Sequence, residues 1–400
     1  MSSTYQEWVQ REQNSIMHTY GRYPLAVAKS AGCRLYDPEG REYIDLLAGI
    51  AVNGLGHCNA RLQEAMLKQA ATLGHISNLF YQEPQILLAE ALLETCHADK
   101  VFFCNSGAEA NEGAIKLARR YMHHIRHADA HEIITLEGSF HGRTLATLTA
   151  TGQEGKIKDG FGPLPEGFRT IPFNDAQALR DAISPATAAV MVEVVQGEGG
   201  VRPLAPEFLE TLKTLREHQN FLLIVDEVQT GLCRTGRFWA HQKFNLRPDI
   251  FTTAKALANG LPMGAVLASD EVARGFEPGS HATTFGGGPV VAAVANEVVK
   301  IMREERLDER AREVGELAVH HLSDVADRHP DSIVSIRGQG LMIGVELAFP
   351  GQEVWKALLD RGFILNLTQG NVLRLLPPLI IEEQDLALFA SALDDVLNAL

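Results

Sequence analysis

From residue 100 to residue 253 one pattern recurs along the chain: a short, nearly continuous apolar run, then a longer stretch with helical spacing. The runs are "KVFFC", "EIITL", "AAVMVEVV", "FLLIVDEV" and "DIFTT". Strands apolar on both faces need cover on both faces, and amphipathic helices such as "EPQILLAEALLETC" and "AEANEGAIKLARRYMHHI" supply it. The pattern predicts an α/β fold built on a large, doubly wound, mostly parallel sheet. Upstream, "RLYDPEGREYIDLL" sets a D-P-E-G turn between two β-like runs, a hairpin with Gly40 at the unusual backbone angle. After "FGGGP" a long helical pattern, "VVAAVANEVVKIMREERLDERAREVGELAVHHLSDVADRH", precedes glycine-punctuated strands in "SIVSIRGQGLMIGVELA" and "FILNLT". The expected organisation is an N-terminal segment (1–50) packing with a small C-terminal α+β domain (290–400), and a large domain over 51–289.

Composition narrows the partners. With 400 residues, 46% of them hydrophobic, the chain has ample material for a core. A formal net charge of -14 argues against a broad nucleic-acid or anionic-lipid surface and leaves room for a local pocket that binds a small anion. The five cysteines (33, 58, 96, 104 and 233) include no C-x-x-C pair, so neither a disulfide framework nor a thiolate metal site is expected. The N-terminal "MSSTYQEWVQREQNSIMHTY" has no apolar signal region and no stretch is long enough to span a membrane, so a cytoplasmic location is expected.

In open α/β sheets ligands sit beyond the carboxyl ends of the strands, so polar residues that end an apolar run come first. "LLIVDEVQTG" stops at Asp226, Glu227 and Gln229. Strand-end capping would account for the acids, and so would the magnesium site of a nucleotide hydrolase, but the chain has no G-x-x-x-x-G-K-[ST] loop. "FFCNSGAEANEGAIKLARR" runs strand, small polar turn, helix. Ser106, Gly107 and Ala108 set a hydroxyl and unpaired N–H groups at a positive helix end, which suits a phosphate and equally an ordinary cap. "DIFTTAKALANGLPMGA" sets Lys255 after a strand, between alanines. Most lone lysines are solvated, but one in partly apolar surroundings is readily neutral and nucleophilic toward carbonyls. "GSFHGRTLATL" offers Phe140 as a platform for a planar ring and Arg143 as a carboxylate fork; singly they are a core aromatic and a surface arginine. His123, His127 and His131 share helical spacing at a polar helix end with no assured acid or thiolate partner, and no metal site is expected.

Joint occurrence decides between these readings. Pyridoxal phosphate needs an anion cradle, a ring platform, an acid that keeps the pyridine nitrogen protonated, and a lysine for covalent attachment. This chain carries all four in one α/β domain, with Asp226 as the pyridinium partner and Gln229 as a donor near the ring oxygen. The ordered set "NSGAEANEGAIKLAR", "FHGRT", "VEVVQGEGG", "DEVQTGLCRTG", "AKALANGLPMGA" and "HATTFGG" resembles the class III pyridoxal-phosphate aminotransferases, most of all their acetylornithine branch. The resemblance runs from "EGREYIDLLAGIAVNGLGH" to "LRLLPPLI" and implies the fold type I of pyridoxal-phosphate-dependent transferases.

Residue by residue, the resemblance implies that Lys255 holds the cofactor and, once released, shuttles a proton at the reacting carbon. It implies that Ser106, Gly107 and Ala108 hold the phosphate and that Thr284 reaches the phosphate of a second subunit's cofactor. Phe140 and Val228 would sandwich the ring, with Glu193 in the hydrogen-bond network beside it. Arg143 would bind a substrate carboxylate; Arg374 would pair with Glu198 while an amine donor is bound, then clamp the α-carboxylate of 2-oxoglutarate. Substrate contacts from Thr283, and from Asn78 in "GHISNLFYQEP", complete the implied set, partly from a partner subunit. Three positions depart from the family pattern: Val194 in place of proline, Ala282 in place of glycine and Gly288 in place of asparagine. None is a chemical group of the mechanism, so altered loop stiffness is expected.

The implied activity is transfer of the δ-amino group of N2-acetylornithine to 2-oxoglutarate by a homodimer with shared sites, a step of arginine biosynthesis. Succinylornithine, ornithine, 4-aminobutyrate and a carrier-bound lysine precursor are the alternative donors. Outside the class stand the nucleotide hydrolase and a catalytically silent binding relative, the latter opposed by the intact lysine, acid and arginine set.

Overall fold

A computed structural model describes residues 3–400. Seven strands form the large sheet: β1 (Lys100–Cys104), β2 (Glu132–Leu136), β3 (Phe168–Ile171), β4 (Thr187–Val192), β5 (Leu222–Asp226), β6 (Ile250–Thr253) and β7 (Gly264–Ala268). Their order is β1-β7-β6-β5-β4-β2-β3. β7 runs antiparallel to both neighbours, and every other adjacent pair is parallel. The central strands β4, β5, β6 and β7 are buried at every residue, which is why β4, β5 and β6 read as unbroken apolar runs. The five runs seen in the sequence match β1, β2, β4, β5 and β6. β3 escapes that reading because it is an edge strand with Arg169 and Thr170 exposed, and β7 because "GAVLA" is built from small residues.

The "AAVMVEVV" run ends as a strand at Val192, and Val195–Gln196 turns away to pair with Arg202–Pro203. The expected hairpin forms: Arg34–Tyr36 pairs with Glu42–Asp45, with Gly40 at φ +84° in the turn. Glu42–Asp45 then pairs in parallel with Phe363–Ile364, and Arg34 forks onto Asp385 at 2.6 and 2.9 Å, tying the N-terminal segment to the C-terminal one. The long helical pattern divides at Arg306, which adopts φ +50°, into Pro289–Glu304 and Leu307–Arg328. The first of these helices packs on Ala60–Thr72 and Glu83–Leu93, the second on Glu383–Asn398.

A four-stranded antiparallel sheet has the order Ile333–Gln339, Met342–Leu347, Val372–Leu375, Asn366–Thr368. "FILNLT" is thus two strands: Phe363–Ile364 serves the N-terminal sheet and Asn366–Thr368 this one. No helix among the described residues is long and apolar enough to cross a membrane.

Candidate active site

A cavity of about 410 Å³ opens at the carboxyl ends of the central strands. β5 delivers Asp226 as its last residue, in register with Thr252 of β6, and the chain leaves β6 through Ala254 into Lys255. Asp226 is buried and held from three sides. Its Oδ2 accepts from Asn111 Nδ2 at 2.7 Å and lies 2.8 Å from His141 Nδ1; its Oδ1 accepts from the Val228 amide at 2.9 Å. Asn111 is itself fixed, accepting from Thr252 Oγ1 at 2.7 Å and donating to the His141 carbonyl at 2.7 Å. Burial alone would depress the His141 pKa, but its hydrogen bond with Asp226 and that carboxylate's charge outweigh burial and raise it.

Lys255 starts a short 3₁₀ turn at φ +45°, and burial lowers its pKa from 10.5 to about 8. The helix Gly107–His124 points its N-terminus at the same cavity. Ser106 caps it, Oγ accepting from the Glu109 amide at 3.1 Å, while the amides of Gly107 and Ala108 have no acceptor within the helix. A Cβ on Gly107 would lie 2.7 Å from Val228 Cγ1, so only glycine allows that valine to close over the helix end.

Phe140 lines the cavity with the Arg143 guanidinium 5.5 Å from its ring centroid. Glu193 fixes this loop, accepting from the Phe140 amide at 2.9 Å and the Gly197 amide at 3.3 Å. Burial raises its pKa to about 7; His141 opposes the shift and Asp226 adds to it.

Behind Glu198 and Gln229, which line the cavity, Arg374 is buried and paired with Glu198, NH1 to Oε1, at 2.6 Å. Burial pushes the Glu198 carboxyl up, yet the charge and hydrogen bond of Arg374 prevail and hold it below its ordinary value. Gln229 lines the cavity and turns its Oε1 toward Arg374 NH1 at 3.3 Å. Arg143, by contrast, is exposed and makes no ion pair among the described residues.

Three of the expected residues lie elsewhere. Asn78 is exposed and donates to the carbonyls of Thr283 (3.2 Å) and Gly286 (3.1 Å). Thr283 Oγ1 accepts from Asn105 Nδ2 at 3.1 Å, and Thr284 is exposed; none of the three lines the cavity of its own chain. Around them Leu79, Tyr81 and Phe285 are 86%, 99% and 65% exposed, a cluster of large apolar side chains in water. Of the departing positions, Val194 is fully buried, Ala282 is exposed and Gly288 precedes the helix Pro289–Glu304 as its cap.

Glu227, the other acid after β5, faces away from the cavity. Its carboxylate accepts from Thr230 Oγ1 (2.7 Å) and from the amides of Ala240 (3.1 Å) and His241 (2.8 Å), with His241 Nδ1 at 2.9 Å. It ties the strand end to the Ala240–Phe244 turn. No group of three or more His, Cys, Asp or Glu that could hold a metal occurs among the described residues.

Asn111, His141 and Asn366 were missed in the sequence, Asn366 accepting from Arg374 Nε and NH2 at 3.0 and 2.6 Å. A signal existed for two of them. His141 lies inside "FHGRT", and Asn111 is a polar residue on the helix face otherwise buried through Ala110, Ala114 and Ala118.

The residues present fit pyridoxal phosphate: an open helix N-terminus meets the cavity, and a buried carboxylate held by Asn111 and His141 lines the same space. Comparison with known proteins agrees. The family model for class-III aminotransferases matches residues 16–397. Acetylornithine aminotransferase of Methanocaldococcus jannaschii is 45% identical over 391 residues, 98% of either chain. Among solved structures, acetylornithine aminotransferase from Elizabethkingia anophelis superposes with a TM-score of 0.90 at 32% identity, covering 100% of both chains. Ornithine aminotransferase from Toxoplasma gondii does so with 0.95 at 32% identity, covering 100% of this chain and 96% of the other.

Proposed function

The chain belongs to the class III aminotransferase family, whose members depend on pyridoxal phosphate, and on that premise we propose that it transfers the δ-amino group of N2-acetyl-L-ornithine to 2-oxoglutarate. The products are N-acetyl-L-glutamate 5-semialdehyde and L-glutamate. When bound, the cofactor supplies the electron-withdrawing ring that carries the amino group between substrates. The chain's own groups do the rest. Asp226, oriented by Asn111 and His141, would hold the proton on the ring nitrogen. Ser106 and the Gly107 and Ala108 amides would hold the phosphate. Phe140 and Val228 would flank the ring, with Glu193 holding the Phe140 loop. The Lys255 amine, its pKa lowered by burial to about 8, would anchor the cofactor and then move the proton at the reacting carbon.

One observation carries the substrate reading: Arg374 is closed on Glu198 while Arg143 makes no ion pair among the described residues. The available cation at the cavity mouth suits a donor whose carboxylate lies far from its reacting amine. Each carboxylate lining the cavity is already engaged: Asp226 by Asn111 and His141, Glu193 by two amides, Glu198 by Arg374. None remains for the α-ammonium of free ornithine, and acetylation removes that charge. Free ornithine is the second reading, supported by the high structural similarity to an ornithine aminotransferase.

The exposed Leu79, Tyr81 and Phe285 beside Thr284 support a homodimer in which Asn78, Thr283 and Thr284 serve the neighbouring site. Single-turnover rates of the cofactor-loaded enzyme with a panel of ω-amines test the donor. Acetylornithine is expected to convert the cofactor fastest at matched subsaturating concentration; faster conversion by ornithine or 4-aminobutyrate overturns the assignment.

A further inference from the structure

Four hydrogen bonds fix the Arg374 guanidinium, and only one of them comes from a charged group. Asn366 Oδ1 accepts from both Nε (3.0 Å) and NH2 (2.6 Å), so a single neutral oxygen occupies the whole Nε/NH2 edge. NH1 faces Glu198 at 2.6 Å and Gln229 at 3.3 Å. The amide orientation is settled by chemistry, because a guanidinium has no acceptor and must meet the oxygen. The far side of the amide agrees: Asn366 Nδ2 lies 3.3 Å from the Tyr23 hydroxyl, and Tyr23 is braced edge-on against Trp355 at 4.7 Å. The backbone also fixes the pair. Asn366 and Arg374 are direct partners in the antiparallel ladder, so their side chains leave the same face of the sheet.

We propose that Asn366 is a specificity-determining positioning residue, a neutral lock that keeps Arg374 in place and charged when Glu198 withdraws. The α-carboxylate of the keto acid then docks end-on, across NH1 and NH2. This rests on the reading of Arg374 as the 2-oxoglutarate clamp. A guanidinium has five N–H donors. Asn366 takes Nε–H and one N–H of NH2, leaving the second NH2 proton and both NH1 protons once Glu198 and Gln229 give way. A neutral acceptor is required for this. A carboxylate in its position would orient the arginine equally well but would neutralise it permanently, in competition with the incoming substrate.

Asn366→Asp is the deciding variant, since it preserves shape, adds the charge and replaces only the Nδ2 donor that faces the Tyr23 hydroxyl, which can donate in its turn. In the cofactor-loaded enzyme it is expected to raise KM for 2-oxoglutarate by about tenfold or more while the acetylornithine half-reaction changes by less than about twofold. Calorimetric binding of glutarate, which has no keto group and does not react, is expected to weaken in parallel. Asn366→Ala frees the guanidinium and is expected to weaken glutarate without affecting the donor half-reaction, and Asn366→Gln to restore part of the loss. Equal glutarate affinity in wild type and Asn366→Asp overturns the proposal alone, as does an equal fall in both half-reactions. Absence of glutarate binding by wild type overturns the clamp reading and the proposal with it. A glutarate-bound structure with the carboxylate on the Nε/NH2 edge also overturns it.

Discussion

Lys255 shows at the scale of one residue how environment makes a reagent of a common side chain. It follows a fully buried strand, sits between Ala254 and Ala256, and is brought to about pH 8 by burial, with Glu198 and Asp226 opposing the shift and Arg374 reinforcing it. The neutral amine is the nucleophile, so capture of pyridoxal phosphate by cofactor-free protein is expected to quicken as pH rises through 8 and to level off above it. Stopped-flow absorbance checks this; a rate that keeps climbing toward pH 10.5, the ordinary lysine value, contradicts it. Adjacent acids make the complementary point. Asp226 and Glu227 are both buried and are neighbours in the chain, yet one faces the cavity and the other binds the turn at Ala240 and His241. Both were legible as strand-end acids. Asp226 was assigned to the cavity from the sequence, but the role of Glu227 was not legible, because its partners at Ala240 and His241 lie well along the chain.

At the scale of the element, the helix Gly107–His124 is a phosphate cradle at one end and a core component along its length. Gly107 has an ordinary helical backbone, so alanine there would favour the helix by propensity. The Cβ would nonetheless fall 2.7 Å from Val228 Cγ1. Overpacking of this kind costs about 1–3 kcal/mol, and displacement of Val228 moves it into the space assigned to the ring. Gly107→Ala is therefore expected to lower cofactor affinity by about tenfold or more while leaving helix content unchanged, as read by fluorescence titration and circular dichroism. Unchanged affinity would show that Val228 has room to move.

At the scale of the molecule, the cavity of one chain lacks three of its expected contributors. Asn78, Thr283 and Thr284 cluster instead at an exposed patch with Leu79, Tyr81 and Phe285. If a second copy brings Thr284 to the phosphate, Lys255→Ala and Thr284→Ala subunits mixed with demonstrated exchange should regain activity. Half of the dimers are then mixed, each with one whole site, so about a quarter of wild-type sites return. No recovery in exchanged mixtures argues against sharing. Within one chain, the segment after β5 is joined to the C-terminal region by Arg234, which is buried with no ion pair among the described residues and whose NH1 donates to the carbonyls of Leu341 (2.9 Å) and Pro377 (2.6 Å). Pro377 closely follows the strand bearing Arg374, so this contact ties the segment after β5 to the end of that strand.

The buried strands other than β7, the covering helices, the strand-end acid, the lysine and the helix-end glycine were legible in the sequence alone. Each is a local pattern of polarity, size or spacing, and such patterns arise because burial on both faces or at a helix end restricts residue type directly. Only the tertiary structure decided that β7 enters the sheet antiparallel, that Asn111 and His141 orient Asp226, and that Asn366 and Glu198 share Arg374. These contacts are made by residues that are not neighbours in the chain, through strand pairing and a few side-chain hydrogen bonds. Asparagine and histidine carry no local mark of the partner they will meet, so strand register and chain crossing, rather than composition, select it.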